Sequence, residues 1–259
     1  MQLAVLHRKI AEDTRAVHAV VSKIFPVQIP AQYDGQPVSI QRFITRLNRV
    51  TEPLDLFNEI KEDKEVSPGQ IFNTALWIAD HELPENDSRA AIRVLWHLHP
   101  TTRRVVLTQT EWNRRRYYFW QMVMHELIHR HQETKRTAVD PRVYRPTSTQ
   151  RDIKKEQEYY GNCDEIETHS HAAAVELLSW WGHLGYREAV HEALTYSGRV
   201  VSPTFQTYMT SFGDTPNHPA LKHFKRKVRA WYKVVLADWE IYEILALPNL
   251  VGKTLNTGT

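Results

Sequence analysis

Apolar residues recur at spacings of mostly three, four or seven over residues 3–24, at Leu3, Leu6, Ile10, Val17, Val20, Val21 and Ile24. That period predicts a long amphipathic helix, and Pro26 and Pro30 end it. Residues 31–38 contain Asp34-Gly35 and read as a loop. Ser39 stands where a cap would, ahead of Ile40, Phe43, Ile44 and Leu47 on one side of a second helix. A further helix is expected over 68–81. The pattern then changes. Residues 91–99 and 104–110 are rich in Val, Ile, Leu and Trp, with a short polar segment between them, and predict two strands joined by a turn. A long helix follows over 111–132. Residues 134–150 carry Pro141 and Pro146 and read as a surface loop. Helices are expected near 152–160, 163–182 and 186–196. A last one runs over 219–247, with a break allowed, and Pro248 stops it. This is an α+β chain, mostly helical, with a small sheet. We divide it into a helical N-terminal region (1–85), a central core (86–200) and a helical C-terminal extension (201–259), expected to form one compact unit.

A length of 259 residues with eight Trp supports a substantial core. Cys163 is the single cysteine, which excludes a disulfide within the chain and a zinc site built from several cysteines. Residues 1–25 are interrupted by Arg8, Lys9, Glu12, Asp13 and Arg15, so they hold no secretory apolar core. No run is apolar and long enough to cross a bilayer. These features predict a soluble, cytoplasmic protein with no membrane partner. The net charge is only +3, but it is unevenly spread. Arg114, Arg115 and Arg116 form one basic cluster, and Lys222, Lys225, Arg226, Lys227, Arg229 and Lys233 form another. Each reads either as a solvated helix face or as a contact for nucleic acid or another anionic partner.

The segment His125-Glu126-Leu127-Ile128-His129 lies inside the expected long helix. Residues four apart share a helix face, so His125 and His129 can offer two imidazoles to one cation. Glu126 lies beside them, within reach of a water on that cation. Zinc takes such nitrogens at about 2.0–2.1 Å and keeps an open position when it is catalytic. The spacing therefore points to metal-assisted hydrolysis, with Glu126 as general base. A third ligand is sought in 164–174, which is dense in ligand-type residues. Glu167 shares a half-apolar face with His171, Ala174, Leu178 and Trp181, a face expected to pack against the metal-binding helix. Glu165 shares a polar face with His169 and Glu176, which reads as solvated. Glu167 is thus the favoured ligand and Glu165 the runner-up. His171 is the candidate to support the site or to bind substrate.

On His125-Glu126-Leu127-Ile128-His129 the chain resembles the zincin metallopeptidases, and a glutamate on a later helix is similar to their gluzincin branch. The fragment from Glu165 to Ala172 looks like the second motif of ImmA/IrrE-like peptidases, and Asp164-Glu165-Ile166-Glu167 resembles a motif of phage-encoded metallopeptidase-like proteins. The resemblance spans roughly residues 90–185. It implies a zincin-like domain with a small sheet packed on the metal-binding helix, a bound Zn2+, and hydrolysis of a protein or peptide substrate. The metzincin pattern is not met, because His131 follows His129 too closely to be its third histidine.

Four residues are candidates to stabilise the oxyanion: His169, His171, Tyr159 and Tyr160. A rival expectation is a zincin-like structural or assembly protein, for example a virion component, whose metal site is vestigial or structural.

Overall fold

A computed structural model describes residues 3–77, 92–133, 143–182, 184–195, 202–213 and 215–242. It is mostly helical with small sheets, an α+β fold. By its contacts the chain divides into two units. Among the described residues one holds 8–130, and the other holds 3–7 and 131–242.

In the first unit, helix α1 (Leu3–Ile24) supplies its residues from Arg8 onward. Strand β1 (Pro37–Ser39) leads directly into helix α2 (Ile40–Thr51). Strands β2 (Leu56–Glu62), β3 (Ile71–Trp77) and β4 (Ile92–Leu98) form one sheet in the order β2-β4-β3. Strand β4 lies in the middle, parallel to β2 and antiparallel to β3. Strand β5 (Arg104–Val106) pairs antiparallel with β1 in a separate ribbon. The expected hairpin between 91–99 and 104–110 is therefore corrected. Both strands exist, but each pairs with a segment from earlier in the chain.

The expected helix over 68–81 is also corrected. Ile71–Trp77 is a strand whose seven residues pair with β4 from Ile71↔Leu98 to Trp77↔Ile92. A full ladder satisfies the backbone as a helix would, and the apolar spacing fits either form. Residues 78–81 lie outside the described residues.

Buried rings hold this unit together. Phe25 packs against Phe43, Trp112 and Phe119, and Phe43 packs edge-on to Trp96. The polar edges of these rings are satisfied. The Trp112 N–H donates to the Pro26 carbonyl at 2.8 Å, and the Trp96 N–H donates to Asn58 at 3.2 Å. Asn58 is itself locked to Asn48 of α2 by bonds of 2.6 and 2.9 Å, which ties helix to sheet. Helix α3 (Gln109–Glu133) touches the sheet where Arg115 donates to Asn73 of β3 at 3.2 Å.

The second unit is helical. It comprises the end of α3, then α4 (Arg151–Tyr160), α5 (Cys163–Trp181), α6 (Tyr186–Thr195), α7 (Pro203–Phe212) and α8 (Pro219–Ala237). The expected C-terminal helix ends at Ala237, and a 3-10 turn follows over Trp239–Ile241. Residues 243–247 lie outside the described residues. Helix α7 was not anticipated from the sequence.

Helices α5 and α8 form the centre of the unit. Ala172, Ala173 and Ala174 are buried on α5, and Phe224, Val228, Trp231 and Tyr232 are buried on α8. Small residues let the two backbones approach while the large rings fill the space around them. The Tyr208 and Phe224 rings stack with centroids 3.7 Å apart. No helix among the described residues is long and apolar enough to cross a membrane.

Candidate metal centre

His125 and His129 lie on successive turns of α3, near its C-terminal end. Trp120, Val123, Met124, Leu127 and Ile128 are buried around them and fix the helix on its apolar side. The Nε2 atoms of the two histidines are 3.0 Å apart, and their ring planes are inclined at 78°. Two imidazole nitrogens at that separation repel unless a proton or a cation lies between them. Two nitrogens of one tetrahedral zinc site stand about 3.3 Å apart, so little movement separates this geometry from a ligating one. Glu126 follows His125 and is only 8% exposed.

Within the second unit, the last residues of α3 are bonded to the start of α5. Gln132 donates to the Asp164 carbonyl at 3.3 Å. The next residue on α5 is Glu165. Among the described residues, one group of three could hold a metal ion: His125, His129 and Glu165, each offering a ligand atom within 4.8 Å of the others. All three are partly exposed.

Glu167, the favoured third ligand, is engaged elsewhere. Its carboxylate accepts from the Trp231 indole N–H at 2.8 Å and from the Lys227 ammonium. Residues two apart point to different sides of a helix, so Glu165 and Glu167 cannot serve the same centre together. Here the Glu167 side faces α8. The polar face of Glu165, His169 and Glu176 is not solvated as expected. The Glu165 and His169 side chains are only 13% and 18% exposed, with Oε2 and Nε2 separated by 3.6 Å. Glu176 is buried, and its carboxylate accepts from Ser202 and Thr204 at the start of α7. Sequence reasoning missed that role because it placed no helix at Pro203–Phe212.

His171 does not reach solvent. It is 1% exposed, bonded to the Tyr242 hydroxyl at 3.2 Å and packed against Trp231. Burial, aided by the nearby His7, lowers its pKa to about 3 and keeps the ring neutral. This is a core group, not one that can bind substrate as expected. The His169 ring, by contrast, lies among tyrosines, with centroids 5.3 Å from Tyr160, 5.8 Å from Tyr208 and 6.1 Å from Tyr159. Burial raises the Tyr160 pKa, and the carboxylates of Glu156 and Glu165 add to the effect. Its hydroxyl therefore stays protonated and able to donate.

The two basic clusters have different fates. Arg116 is buried, Arg115 is bonded to Asn73, and Arg114 pairs with Glu111 at 2.9 Å, so this run is not one continuous basic face. On α8, Lys227 is committed to Glu167, while Lys222, Arg226, Arg229 and Lys233 form an exposed stripe. No protein-family model, curated protein or solved structure matches the chain.

Proposed function

We propose that the chain is a zinc-dependent hydrolase acting on peptide bonds, of the zincin kind, with His125, His129 and Glu165 as metal ligands. The supporting observation is the convergence of two imidazole nitrogens and one carboxylate oxygen within 4.8 Å. Two nitrogens and one oxygen form a donor set that suits zinc and leaves a coordination position for water. When bound, the cation supplies Lewis-acid activation of water and of a carbonyl.

The chain's own residues do the rest. Glu126, next to a ligand and mostly buried, accepts the proton of the attacking water and passes it to the departing amine nitrogen. The protonated Tyr160 hydroxyl, on the aromatic cluster beside Glu165, is the donor we assign to the developing oxyanion. Glu167 takes no part in the chemistry. It holds α5 against α8, which sets the direction in which Glu165 points.

The reading is tested by incubating zinc-supplemented protein with a fluorogenic peptide library, for the parent and for Glu126→Gln. Cleavage by the parent that is lost in the variant, with metal still bound, supports it. Equal cleavage by both proteins removes Glu126 from the mechanism, and no cleavage by either removes the peptidase assignment.

A further inference from the structure

We propose that a cleft between α2 and the β1–β5 ribbon binds the phosphates of a nucleotide, either free or within a nucleic-acid strand. The cleft has a volume of about 530 Å³ and opens to solvent. That lies within the ~300–1,000 Å³ range of small-molecule sites. Four arginines line it: Arg42 and Arg46 from α2, and Arg103 and Arg104 at β5. No carboxylate is among the lining residues.

Four guanidinium groups lining one concavity give it a positive field that draws in an anion. The protein supplies very little of that charge. Arg46 donates to the Tyr33 hydroxyl at 3.0 Å, a neutral partner. Arg103 stands 4.0 Å from Glu62, but the two side chains are 81% and 63% exposed, and a pair so wet contributes almost nothing. Arg42 and Arg104 have no ion pair among the described residues. All four arginines are exposed, so none is needed to fill the core.

Local architecture adds neutral donors. Ser39 occupies the cap position of α2 and lines the cleft, yet its side chain makes no capping hydrogen bond, and the first turn of α2 carries no acidic residue. The Ile40 amide donates to the Arg103 carbonyl at 3.3 Å, which leaves the Ser39 hydroxyl and the later first-turn amides without an intrahelical partner. The register pairs Ser39 with Arg104, which brings these donors beside one of the guanidinium groups.

The cleft also has an aromatic side. Tyr33 is half-exposed there, and the buried Phe43 backs it edge-on at 6.4 Å. Guanidinium forks fit phosphate oxygens two at a time, and the Tyr33 ring can take a base against it. Arginine with aromatic lining and no acid favours a nucleotide over inorganic anions alone. The arginines come from segments about sixty residues apart, so no run in the sequence reveals them.

The test uses the full chain and two kinds of probe. A short fluorescein-labelled oligothymidylate is followed by anisotropy, and ATP and inorganic pyrophosphate are titrated by calorimetry. The variants are Arg42→Ala/Arg104→Ala in the cleft and Arg226→Ala/Arg229→Ala on the α8 stripe. Unchanged circular dichroism and melting establish that each variant is folded. We expect pyrophosphate to displace the strand, the cleft variant to bind at least about tenfold more weakly, and the α8 variant to bind like the parent. The salt slope should fall by about 1.4 with the loss of two phosphate contacts to a single strand. Binding of the strand but not ATP identifies nucleic acid as the source of the phosphates, and binding of ATP but not the strand identifies a free nucleotide. The proposal is overturned if neither probe binds, if the cleft variant binds like the parent, or if polyglutamate competes as well as pyrophosphate.

Discussion

Glu167 of α5 accepts a hydrogen bond from the indole N–H of Trp231 on α8 at 2.8 Å. The bond joins the two helices at the centre of their unit and gives this glutamate a partner far from the histidines in sequence. It also fixes the rotation of α5 about its own axis. With Glu167 turned toward Trp231 and Lys227, Glu165 turns to another side.

The two glutamates should consequently fail in different ways. Glu167→Ala removes a carboxylate that accepts two bonds, one of them charge-assisted, and should cost about 2–3 kcal/mol in chemical denaturation while leaving metal content unchanged. Glu165→Ala should lose metal with a smaller change in stability. Loss of metal in Glu167→Ala, at a fold otherwise intact, would return the ligand role to Glu167.

Glu126→Gln retains shape but cannot accept a proton. Turnover should fall by about 10²–10⁴-fold with metal content unaltered, read by peptide cleavage alongside metal analysis.

Glu176 is buried and accepts three hydrogen bonds from Ser202 and Thr204, at 2.6, 3.2 and 2.8 Å. Glu176→Ala leaves those donors without their acceptor at the start of α7. The expected loss is about 3 kcal/mol or more in urea unfolding. A change within about 0.5 kcal/mol would contradict this view of how α7 is anchored.

Acid should weaken the fold through two buried histidines. Burial lowers the His171 pKa to about 3, and burial together with Arg116 lowers that of His18 to about 4. Both lie below the unfolded value of about 6.5, so the unfolded chain binds these protons first. Their contribution is complete above about pH 6.5. It is lost as pH falls, through about 4 for His18 and about 3 for His171, at up to about 1.4 kcal/mol per pH unit for each group. Urea unfolding between neutral pH and about pH 5 checks this, and His171→Phe should make the decline shallower.

Much of the helical fold was legible because its signals are local. The three-to-four spacing marked α1, Ser39 marked the start of α2, and residues 163–182 almost coincide with α5. Pairing was not legible. Strand β4 runs beside β2 and β3, which lie before it in the chain, and its composition says nothing of which neighbours it takes. The same limit applied at the candidate metal centre. His125 and His129 occupy one helix, so their spacing alone brings them together. Choosing between Glu165 and Glu167 depends on Lys227 and Trp231, sixty and sixty-four residues beyond Glu167, and nothing nearby in the sequence marks them as its partners.

The measurement that bears most directly on the account is the zinc content of the purified chain, by inductively coupled plasma mass spectrometry after dialysis against zinc and then metal-free buffer. We expect one zinc per chain in the parent, one in Glu167→Ala, and none in His125→Ala, His129→Ala or Glu165→Ala. A parent that retains no zinc, or His125→Ala and His129→Ala variants that retain it fully, would contradict the account.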